Sequence, residues 1–312
     1  MSKPEILLLK PIYAPTVAAL ERDYTVHKLW AAADADALIA NVAGTVRGAV
    51  TTGVLGFNAS QIEQLPRLEI IACFGNPRET IDLAAAKARG VIVTVTPDSI
   101  AGAVAELAMG LIVAVMRRIC ESDRFMRAGS WPTQAPRAGN ELTGKICGIV
   151  GFGGIGRGVA RRAEAFGMSI VYHGPRRKDV AYPYYADLKA MAEAADCLVV
   201  ACPETPETRN LVDARILEAL GPEGFLVNVA RGPVVNEAAL LAALAGKRIA
   251  GAGLDVFWDE PRVPQALREM DEVVLVPHMG STTREIRDER SAKLLANLSA
   301  HFSGKPVPHP LT

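Results

Sequence analysis

The sequence predicts an α/β protein that is built from two doubly wound domains, each with a parallel sheet. Short apolar β-type runs alternate with helix-like segments along the chain, and a glycine-rich turn joins one such run to a helix near the middle. This alternation is typical of a parallel sheet covered by helices on both faces. With 312 residues, half of them hydrophobic, the chain is long enough for two domains of ordinary size.

The first hundred residues predict a smaller sheet of their own. We expect strands at Glu5–Leu9, Gly48–Thr51, Glu69–Phe74 and Val91–Thr94. We expect the intervening helices at Pro15–Arg22, Ala31–Ala40, Ser60–Leu65 and Asp82–Arg89.

The longest apolar run, Ile100–Met116, follows this smaller sheet. It contains Glu106, and its 17 residues are at the lower limit for a membrane span. We interpret the run as a helix that is buried between domains or subunits, in preference to a membrane span.

A glycine motif lies between a strand and a helix in the middle of the chain, and a second strand follows the helix. Lys145–Val150 and Met168–Tyr172 are β-type runs, and Ile155–Phe166 between them has helical composition. The spacing G-x-G-x-x-G, in a turn between a strand and a helix, is typical of a dinucleotide site. Its glycines allow the turn, the approach of a pyrophosphate and close packing of the helix. Unpaired N–H groups at the start of the helix hold the phosphates. We therefore expect the cofactor to contact Gly151, Gly153, Gly154, Ile155 and Gly156.

The end of the second strand indicates which dinucleotide is bound. An NAD site usually has an acidic residue there, which bonds the ribose 2′-OH. This chain has His173–Lys178 instead, with no carboxylate before Asp179. Since an arginine can hold a 2′-phosphate through two hydrogen bonds, Arg176 and Arg177 predict NADP(H) as the preferred cofactor, with NAD(H) possible. The alternative is a solvated basic turn.

The alternation continues to Val276. Helices are expected at Asp187–Ala194, Ala214–Leu220 and Glu237–Leu244, and strands at Cys197–Cys202, Gly224–Val229, Gly251–Leu254 and Val273–Val276.

Three ionisable residues follow strands of this second half, where a doubly wound sheet presents side chains to a crevice. They are Arg231, Glu260 and His278. An arginine can hold a carboxylate and polarise the adjacent ketone. A histidine can protonate the alkoxide that hydride transfer produces, and a carboxylate on its other nitrogen fixes the tautomer. The three residues therefore predict a catalytic set that needs no metal.

Composition limits the other classes of function. Lys plus Arg and Asp plus Glu are both 34, and this balance argues against nucleic acid as a partner. The five cysteines are scattered and lack metal-site spacing, which favours a reducing cytoplasm. The first residues do not form a signal peptide, and we expect no membrane partner.

Several motifs together resemble the D-isomer-specific 2-hydroxyacid dehydrogenases. They run from about residue 40 to the C-terminus and are TPDSIAGAVAELAMGLIVAVMRR, GFGGIG, NVARGPVVNEAAL, GLDVFWDEP, PHMGS and HFSGKPV. The stretches YHGPRRK and MRRICESDRFMRAGSW are most similar to the NADPH-dependent glyoxylate/hydroxypyruvate reductase branch.

The resemblance implies a domain division and further site residues. A Rossmann dinucleotide-binding domain would span 101–286, and a smaller flavodoxin-like substrate domain would combine 1–100 with 287–312. Asp255 would bond the nicotinamide carboxamide. Other cofactor contacts would be Cys202, Pro203, Thr208, Val229, Ala230 and Gly280. The substrate would contact Phe74, Gly75, Asn76, Arg78, Arg231 and His278. The family is typically dimeric, so a homodimer is expected.

The implied reaction reduces glyoxylate or hydroxypyruvate to the D-2-hydroxy acid, with His278 as proton donor, Glu260 as its support and Arg231 on the carboxylate and ketone. One loop departs from the family. In Gly75–Glu79, Pro77 replaces a glycine whose N–H would hold the substrate carboxylate, and proline has no N–H. Because of this loop, a 2-hydroxyacid dehydrogenase that acts on a different or larger acid is the first alternative. A non-enzymatic protein that senses dinucleotides, similar to the C-terminal binding protein corepressors, is the second alternative.

Overall fold

The structure is a computed structural model and describes residues 3–75, 80–97 and 100–312. The chain forms two compact units, one of Met1–Ser99 with Arg284–Thr312 and one of Ile100–Thr283. Each unit contains a parallel sheet with helices between its strands, which confirms the predicted fold class. The assignment of substrate to one unit and cofactor to the other stays a prediction.

The first unit contains a five-stranded sheet in the order β2-β1-β3-β4-β5. Its strands are β1 (Glu5–Leu8), β2 (Thr25–Lys28), β3 (Val46–Thr52), β4 (Ile70–Phe74) and β5 (Ile92–Thr94). Its helices are α1 (Ala14–Asp23), α2 (Ala35–Val42), α3 (Ala59–Glu63), α4 (Leu83–Ala88) and the C-terminal helix Arg284–Phe302, with a 3₁₀ turn at Leu29–Ala31. All pairings are parallel, and the order is that of flavodoxin-like folds.

Alternating side chains of these strands fill two cores, because successive residues of a strand face opposite sides of the sheet. Leu7 and Ile71 belong to the core beneath one face. Ile6 and Ile70 belong to the other, where the C-terminal helix contributes Leu294 among its buried residues. The C-terminal helix is thus an integral part of the first unit.

The last residues cover the outer edge of β5. The backbone N–H of Val95 donates to the carbonyl of His309, and the N–H of Leu311 donates to the carbonyl of Val93. The buried Asn297 joins this segment to the C-terminal helix, since its amide donates to Val95 and accepts from the N–H of His309. An edge that would otherwise expose unpaired backbone groups is therefore bonded.

One helix begins later than the sequence predicts. The expected helix Ala31–Ala40 is replaced by the 3₁₀ turn and then α2, which starts at Ala35. The side chain of Asp34 accepts a hydrogen bond from the N–H of Ala37, so Asp34 caps the new start. The cap at Asp34 therefore sets the start of α2, although the preceding residues also have a helix-forming composition.

The second unit contains a seven-stranded sheet in the order β12-β11-β10-β9-β6-β7-β8. Its strands are β6 (Ile146–Val150), β7 (Ser169–His173), β8 (Tyr184–Tyr185), β9 (Cys197–Val200), β10 (Phe225–Asn228), β11 (Gly251–Leu254) and β12 (Val273–Leu275). Its helices are α5 (Ala101–Met116), α6 (Ile119–Arg127), α7 (Gly154–Ala165), α8 (Leu188–Ala194), α9 (Ala214–Leu220), α10 (Glu237–Ala245) and α11 (Gln265–Glu269), with a 3₁₀ turn at Gly232–Val234. This is the Rossmann order extended by one strand, and the direction in which successive strands are added to the sheet reverses between β6 and β9.

The long apolar helix α5 packs inside the second unit, against α7 and strands β10 and β11. A Cβ placed on Gly158 of α7 would lie 2.7 Å from the Cβ of Ala105, so the two helices need glycine at this contact. Over the ranges that the structure describes, no helix is long and apolar enough to cross a membrane.

Candidate active site

The glycine turn after β6 has the geometry of a nucleotide-binding turn. Gly151 has φ +94°, and a Cβ there would lie 2.6 Å from the backbone of Cys202. A Cβ on Gly156 would lie 2.3 Å from the carbonyl oxygen of Gly151. Helix α7 has Gly153 as its N-cap and no side-chain cap, so its first N–H groups can bind an anion.

A cavity of about 600 Å³ opens at this turn. It lies beyond the carboxyl ends of β6, β7 and β9, at the point where the strand order reverses and where doubly wound sheets bind ligands. Its lining consists of the glycine turn, the end of β7 with the basic segment Gly174–Lys178, and the segment after β9. The lining residues are Val150, Gly151, Phe152, Gly153, Tyr172, His173, Gly174, Pro175, Arg176, Lys178, Ala201, Cys202, Pro203, Thr205, Glu207, Thr208 and Leu211. The volume of the cavity, the uncapped glycine turn and the two lining cations fit a dinucleotide.

The basic segment contributes two of its three cations to the lining. Arg176 and Lys178 line the cavity, whereas Arg177 does not. The sequence singled out Arg176 and Arg177 and did not select Lys178. The three cations are consecutive in an irregular connection, so the sequence contains no signal that distinguishes Lys178 from Arg177.

The cavity brings together part of the predicted cofactor set. The predicted residues that line it are Gly151, Gly153, Arg176, Cys202, Pro203 and Thr208. Those outside its lining are Gly154, Ile155, Gly156, Arg177, Val229, Ala230, Asp255 and Gly280. Burial raises the pKa of the Cys202 thiol to about 11, so the thiol is neutral and contributes an apolar surface. The hydroxyl of Thr208 donates to the carbonyl of Pro203 and accepts from the N–H of Thr205, which closes the turn.

The three ionisable residues follow three neighbouring strands of the same sheet. Arg231 follows β10, Glu260 follows β11 and His278 follows β12. Because these strands are adjacent and parallel, their carboxyl ends share one edge of the sheet. The three residues therefore follow strand ends at the same edge of the sheet, and their catalytic role stays a prediction.

Glu260 and His278 form a hydrogen-bonded pair. Nδ1 of His278 lies 2.6 Å from Oε2 of Glu260. The other carboxylate oxygen accepts a 3.0 Å hydrogen bond from the N–H of Phe257. Burial raises the pKa of the Glu260 carboxyl, but the hydrogen bonds from His278 and Phe257 lower it by more, so the pKa lies below its usual value. The positive charge of Arg231 acts in the same direction.

The turn that carries Arg231 is held by a buried amide that the sequence did not single out. Asn228, at the end of β10, accepts from the N–H of Ala230 and donates to the carbonyl of Arg231. The next residue, Gly232, approaches the following loop so closely that a Cβ would lie 2.2 Å from the carbonyl of Phe257. The indole of Trp258 donates to the carbonyl of Val235, a second link between these loops.

His278 has a left-handed backbone conformation, with φ +47°, which is uncommon outside glycine. Asp255 stabilises this turn, because its two carboxylate oxygens accept from the N–H groups of Met279 and Gly280. Its carbonyl also accepts from the N–H of His278. Burial raises the pKa of Asp255, although the two N–H donors lower it in part.

The predicted substrate residues of the first unit are only partly described. Phe74 ends β4, and the N–H of Gly75 donates to the buried hydroxyl of Thr96, so this N–H already has a partner. Asn76 and Arg78, together with Pro77, lie outside the described residues. Among the residues that are described, no group of three or more His, Cys, Asp or Glu has the arrangement of a metal site.

The chain is similar over most of its length to known proteins. Residues 109–280 match the NAD binding domain of the D-isomer specific 2-hydroxyacid dehydrogenases. The chain is 41% identical over 307 residues to a glyoxylate/hydroxypyruvate reductase A of Arabidopsis thaliana, covering 98% of both chains. It is equally 41% identical to a hydroxyphenylpyruvate reductase of Plectranthus scutellarioides, again with 98% of both covered.

A solved structure extends this likeness to three dimensions. An NADPH-dependent glyoxylate/hydroxypyruvate reductase of Sinorhizobium meliloti, in complex with NADP and malonate, has 38% identity and a TM-score of 0.82. The match covers 100% of this chain and 97% of the other. The matched region therefore includes both units. The protein belongs to the D-isomer specific 2-hydroxyacid dehydrogenase family and is an oxidoreductase.

Proposed function

We propose that the protein uses NADPH to reduce a small 2-oxo acid, glyoxylate or hydroxypyruvate, to the D-2-hydroxy acid. The observation that carries the proposal is the hydrogen bond between His278 and Glu260 beside Arg231, at one edge of the sheet that also bears the nucleotide cavity. A proton donor with a fixed ring, and a cation for a carboxylate, are what reduction of a 2-oxo acid requires.

NADPH supplies the hydride, and the chain supplies the proton. An ionised Glu260 can only accept hydrogen bonds, so Nδ1 of His278 carries its proton toward Glu260. The ring is thereby oriented with Nε2 for the substrate oxygen. When the hydride adds to the ketone carbon, the carbonyl π electrons become an oxygen lone pair, and the Nε2 proton of the imidazolium moves to that oxygen. The product is a neutral hydroxyl, and the imidazole is left neutral.

Arg231 binds the substrate in this proposal. Its guanidinium stays protonated at all working pH values and offers a planar fork of donors to a carboxylate. The buried amide of Asn228 holds the Arg231 turn at the end of β10. The same cation can polarise the ketone oxygen next to the carboxylate, which favours hydride addition.

Arg176 and Lys178 hold the 2′-phosphate in this proposal, and Arg177 stays a further predicted contact. Both lining cations lie where an NAD site would have an acidic residue. The related reductase of Sinorhizobium meliloti, described as NADPH-dependent, supports this preference.

A substrate panel tests the proposal. Glyoxylate, hydroxypyruvate and the larger hydroxyphenylpyruvate should each be assayed with NADPH and with NADH. The last acid is included because a relative of equal identity carries its name and because Pro77 alters the substrate loop. We expect the highest kcat/KM for a small acid with NADPH. A higher value for hydroxyphenylpyruvate would establish the larger-acid alternative, and no turnover with any acid would favour the dinucleotide sensor.

A homodimer in a reducing cytoplasm completes the proposal. Helix α6 and the segment after it expose Ile119 (49%), Met126 (52%) and Trp131 (62%), and an apolar surface of this kind suits a second copy of the chain. Light scattering of the wild type and of Trp131→Asp tests this. We expect a dimer that the substitution weakens, with Trp30→Asp as the control on the first unit.

A further inference from the structure

The basic segment is part of an irregular connection. Between β7 and β8, Gly174–Pro183 contains no helix or strand, yet Arg176 and Lys178 must flank one phosphate if the enzyme is to select NADPH. Long cationic side chains on an unsupported loop lose conformational entropy on binding, and this loss weakens affinity. The selectivity therefore depends on what holds the backbone of this loop in place.

A buried tyrosine holds it. Tyr172 on β7 is fully buried, and its hydroxyl accepts a 2.7 Å hydrogen bond from the N–H of Lys178. The same hydroxyl donates to the carbonyl of Lys178 at 3.2 Å. One phenol thus satisfies both backbone groups of a residue that lines the nucleotide cavity. A buried hydroxyl needs such partners, and Lys178 supplies them both.

The neighbouring aromatic residues fix the position of this phenol. The Tyr172 ring lies 4.5 Å from the ring of Phe152, which is part of the glycine turn, and 5.3 Å from the ring of Tyr184. The hydroxyl of Tyr184 donates to the carbonyl of Gly174, at the other end of the basic segment. The basic segment is therefore held at both of its ends, at Gly174 and at Lys178, by the hydroxyls of two buried or half-buried tyrosines.

We propose that Tyr172 is a positioning residue for cofactor selectivity: its hydroxyl holds the Lys178 backbone so that Arg176 and Lys178 flank the 2′-phosphate of NADPH. The inference rests on the proposed use of NADPH and adds the residue that makes this use selective. The Tyr172 ring belongs to the cavity lining and is kept in a phenylalanine variant, whereas its hydroxyl acts through the loop, and the phosphate is contacted by the cations.

The test uses ligand fragments that differ only in the phosphate. Binding of 2′,5′-ADP and of 5′-AMP is measured by calorimetry for the wild type and for Tyr172→Phe, which keeps the ring and removes the hydroxyl. Loss of one or two ordinary hydrogen bonds corresponds to about threefold to tenfold in affinity. We expect that loss for 2′,5′-ADP, and a similar rise of KM for NADPH. The affinity for 5′-AMP, the KM for NADH and kcat should change less than about twofold.

Tyr182→Phe is the matched control. Tyr182 belongs to the same aromatic group, with its ring 5.6 Å from Phe152, but its hydroxyl donates to Glu164 on α7. Its removal deletes a phenol hydroxyl of the same group without touching the Lys178 backbone. We expect wild-type affinity for both fragments. An equal loss in both tyrosine variants would show general damage to the fold and would overturn the proposal.

A double variant separates Tyr172 from other routes. In Lys178→Ala, the side chain that Tyr172 positions is gone, so adding Tyr172→Phe should weaken 2′,5′-ADP binding less than it does alone. Full additivity would overturn the proposal, as would a Tyr172→Phe enzyme that loses 5′-AMP and 2′,5′-ADP affinity equally.

A wild type that binds both fragments alike and prefers NADH would overturn the NADPH proposal itself, and the positioning role with it. A selective wild type that Tyr172→Phe leaves unchanged would overturn the positioning role alone.

Discussion

Nδ1 of His278 lies 2.6 Å from Oε2 of Glu260, although the two residues belong to loops that follow different strands. The remaining oxygen of the Glu260 carboxylate is held by the N–H of Phe257. The histidine backbone is in turn fixed by Asp255. The pair is therefore fixed from both sides before any substrate binds.

Replacing His278 with alanine should lower kcat for glyoxylate reduction by about 10²–10⁴, the usual contribution of a general acid. The alkoxide would then have to take its proton from water. Steady-state kinetics at neutral pH measure the effect. His309→Ala is the control, because His309 contacts its neighbours through its backbone. Near-normal turnover of the His278 variant would refute the assigned proton donor.

Replacing Glu260 with glutamine should change the acid side of the pH profile. Burial raises the pKa of the Glu260 carboxyl, but its hydrogen bonds and the nearby positive charges lower it by more, so the carboxylate that accepts from Nδ1 of His278 is lost only as pH falls through a pKa below the usual value. Wild-type kcat should therefore decrease at the acid end of the profile. A glutamine has no proton to gain there, and its amide can also donate to Nδ1, so the variant should have a lower kcat at neutral pH and should lack this acid decrease.

The reverse reaction provides the internal check for Glu260→Gln. Oxidation of the hydroxy acid uses the same orientation of the His278 ring, so kcat in that direction should also be lower and should also lack the acid decrease. Glu269→Gln, on the surface of α11, serves as the control substitution. Profiles that superimpose in both directions would rule out an electrostatic role for Glu260.

Arg231→Lys should raise KM for the 2-oxo acid and lower kcat, even though the charge is kept. A lysine ammonium cannot reproduce the planar fork of a guanidinium on a carboxylate. Loss of a charge-assisted contact corresponds to about tenfold or more. Arg231→Ala should lose more, and Arg268→Lys on α11 should lose nothing. Kinetics with unchanged KM for the acid in Arg231→Ala would place the carboxylate elsewhere.

The three cations of the basic segment should differ in their effect. Arg176→Ala and Lys178→Ala should each raise KM for NADPH by about tenfold and leave KM for NADH nearly unchanged, since charged contacts contribute about 1.5–3 kcal/mol each. Arg177→Ala, outside the cavity lining, should change KM for NADPH far less. Equal effects of Arg176→Ala and Arg177→Ala would show that these two arginines contact the 2′-phosphate, as the sequence predicts.

The sequence predicts the elements whose pattern is local and strong. The strands β6 and β7, the glycine turn and the strand-end positions of Arg231, Glu260 and His278 follow from apolar runs and punctuation by glycine. The elements that it misses are short or polar. Strand β8 has two residues, and β2 has no fully buried residue, so neither leaves a clear apolar pattern.

The site details that escape prediction depend on side-chain hydrogen bonds to nearby backbone groups. Three cations in a row look alike in the sequence, whereas in the structure the hydroxyl of Tyr172 accepts from the N–H of Lys178. Asn228 resembles other asparagines at strand ends, and only the structure shows that its amide donates to the carbonyl of Arg231. Hydrogen bonds of this kind have no periodicity from which they can be predicted.

The C-terminal segment beside β5 has a consequence for self-association. His309 and Leu311 bond to the sheet side, and Pro308 and Pro310 alternate with them. Proline has no N–H, so the new outer edge offers no donor at those two positions and is a poor template for a strand of another chain. Pro308→Val and Pro310→Val together would restore two backbone donors to this edge, and the variant would then pair with strands of other copies and form fibrous aggregates.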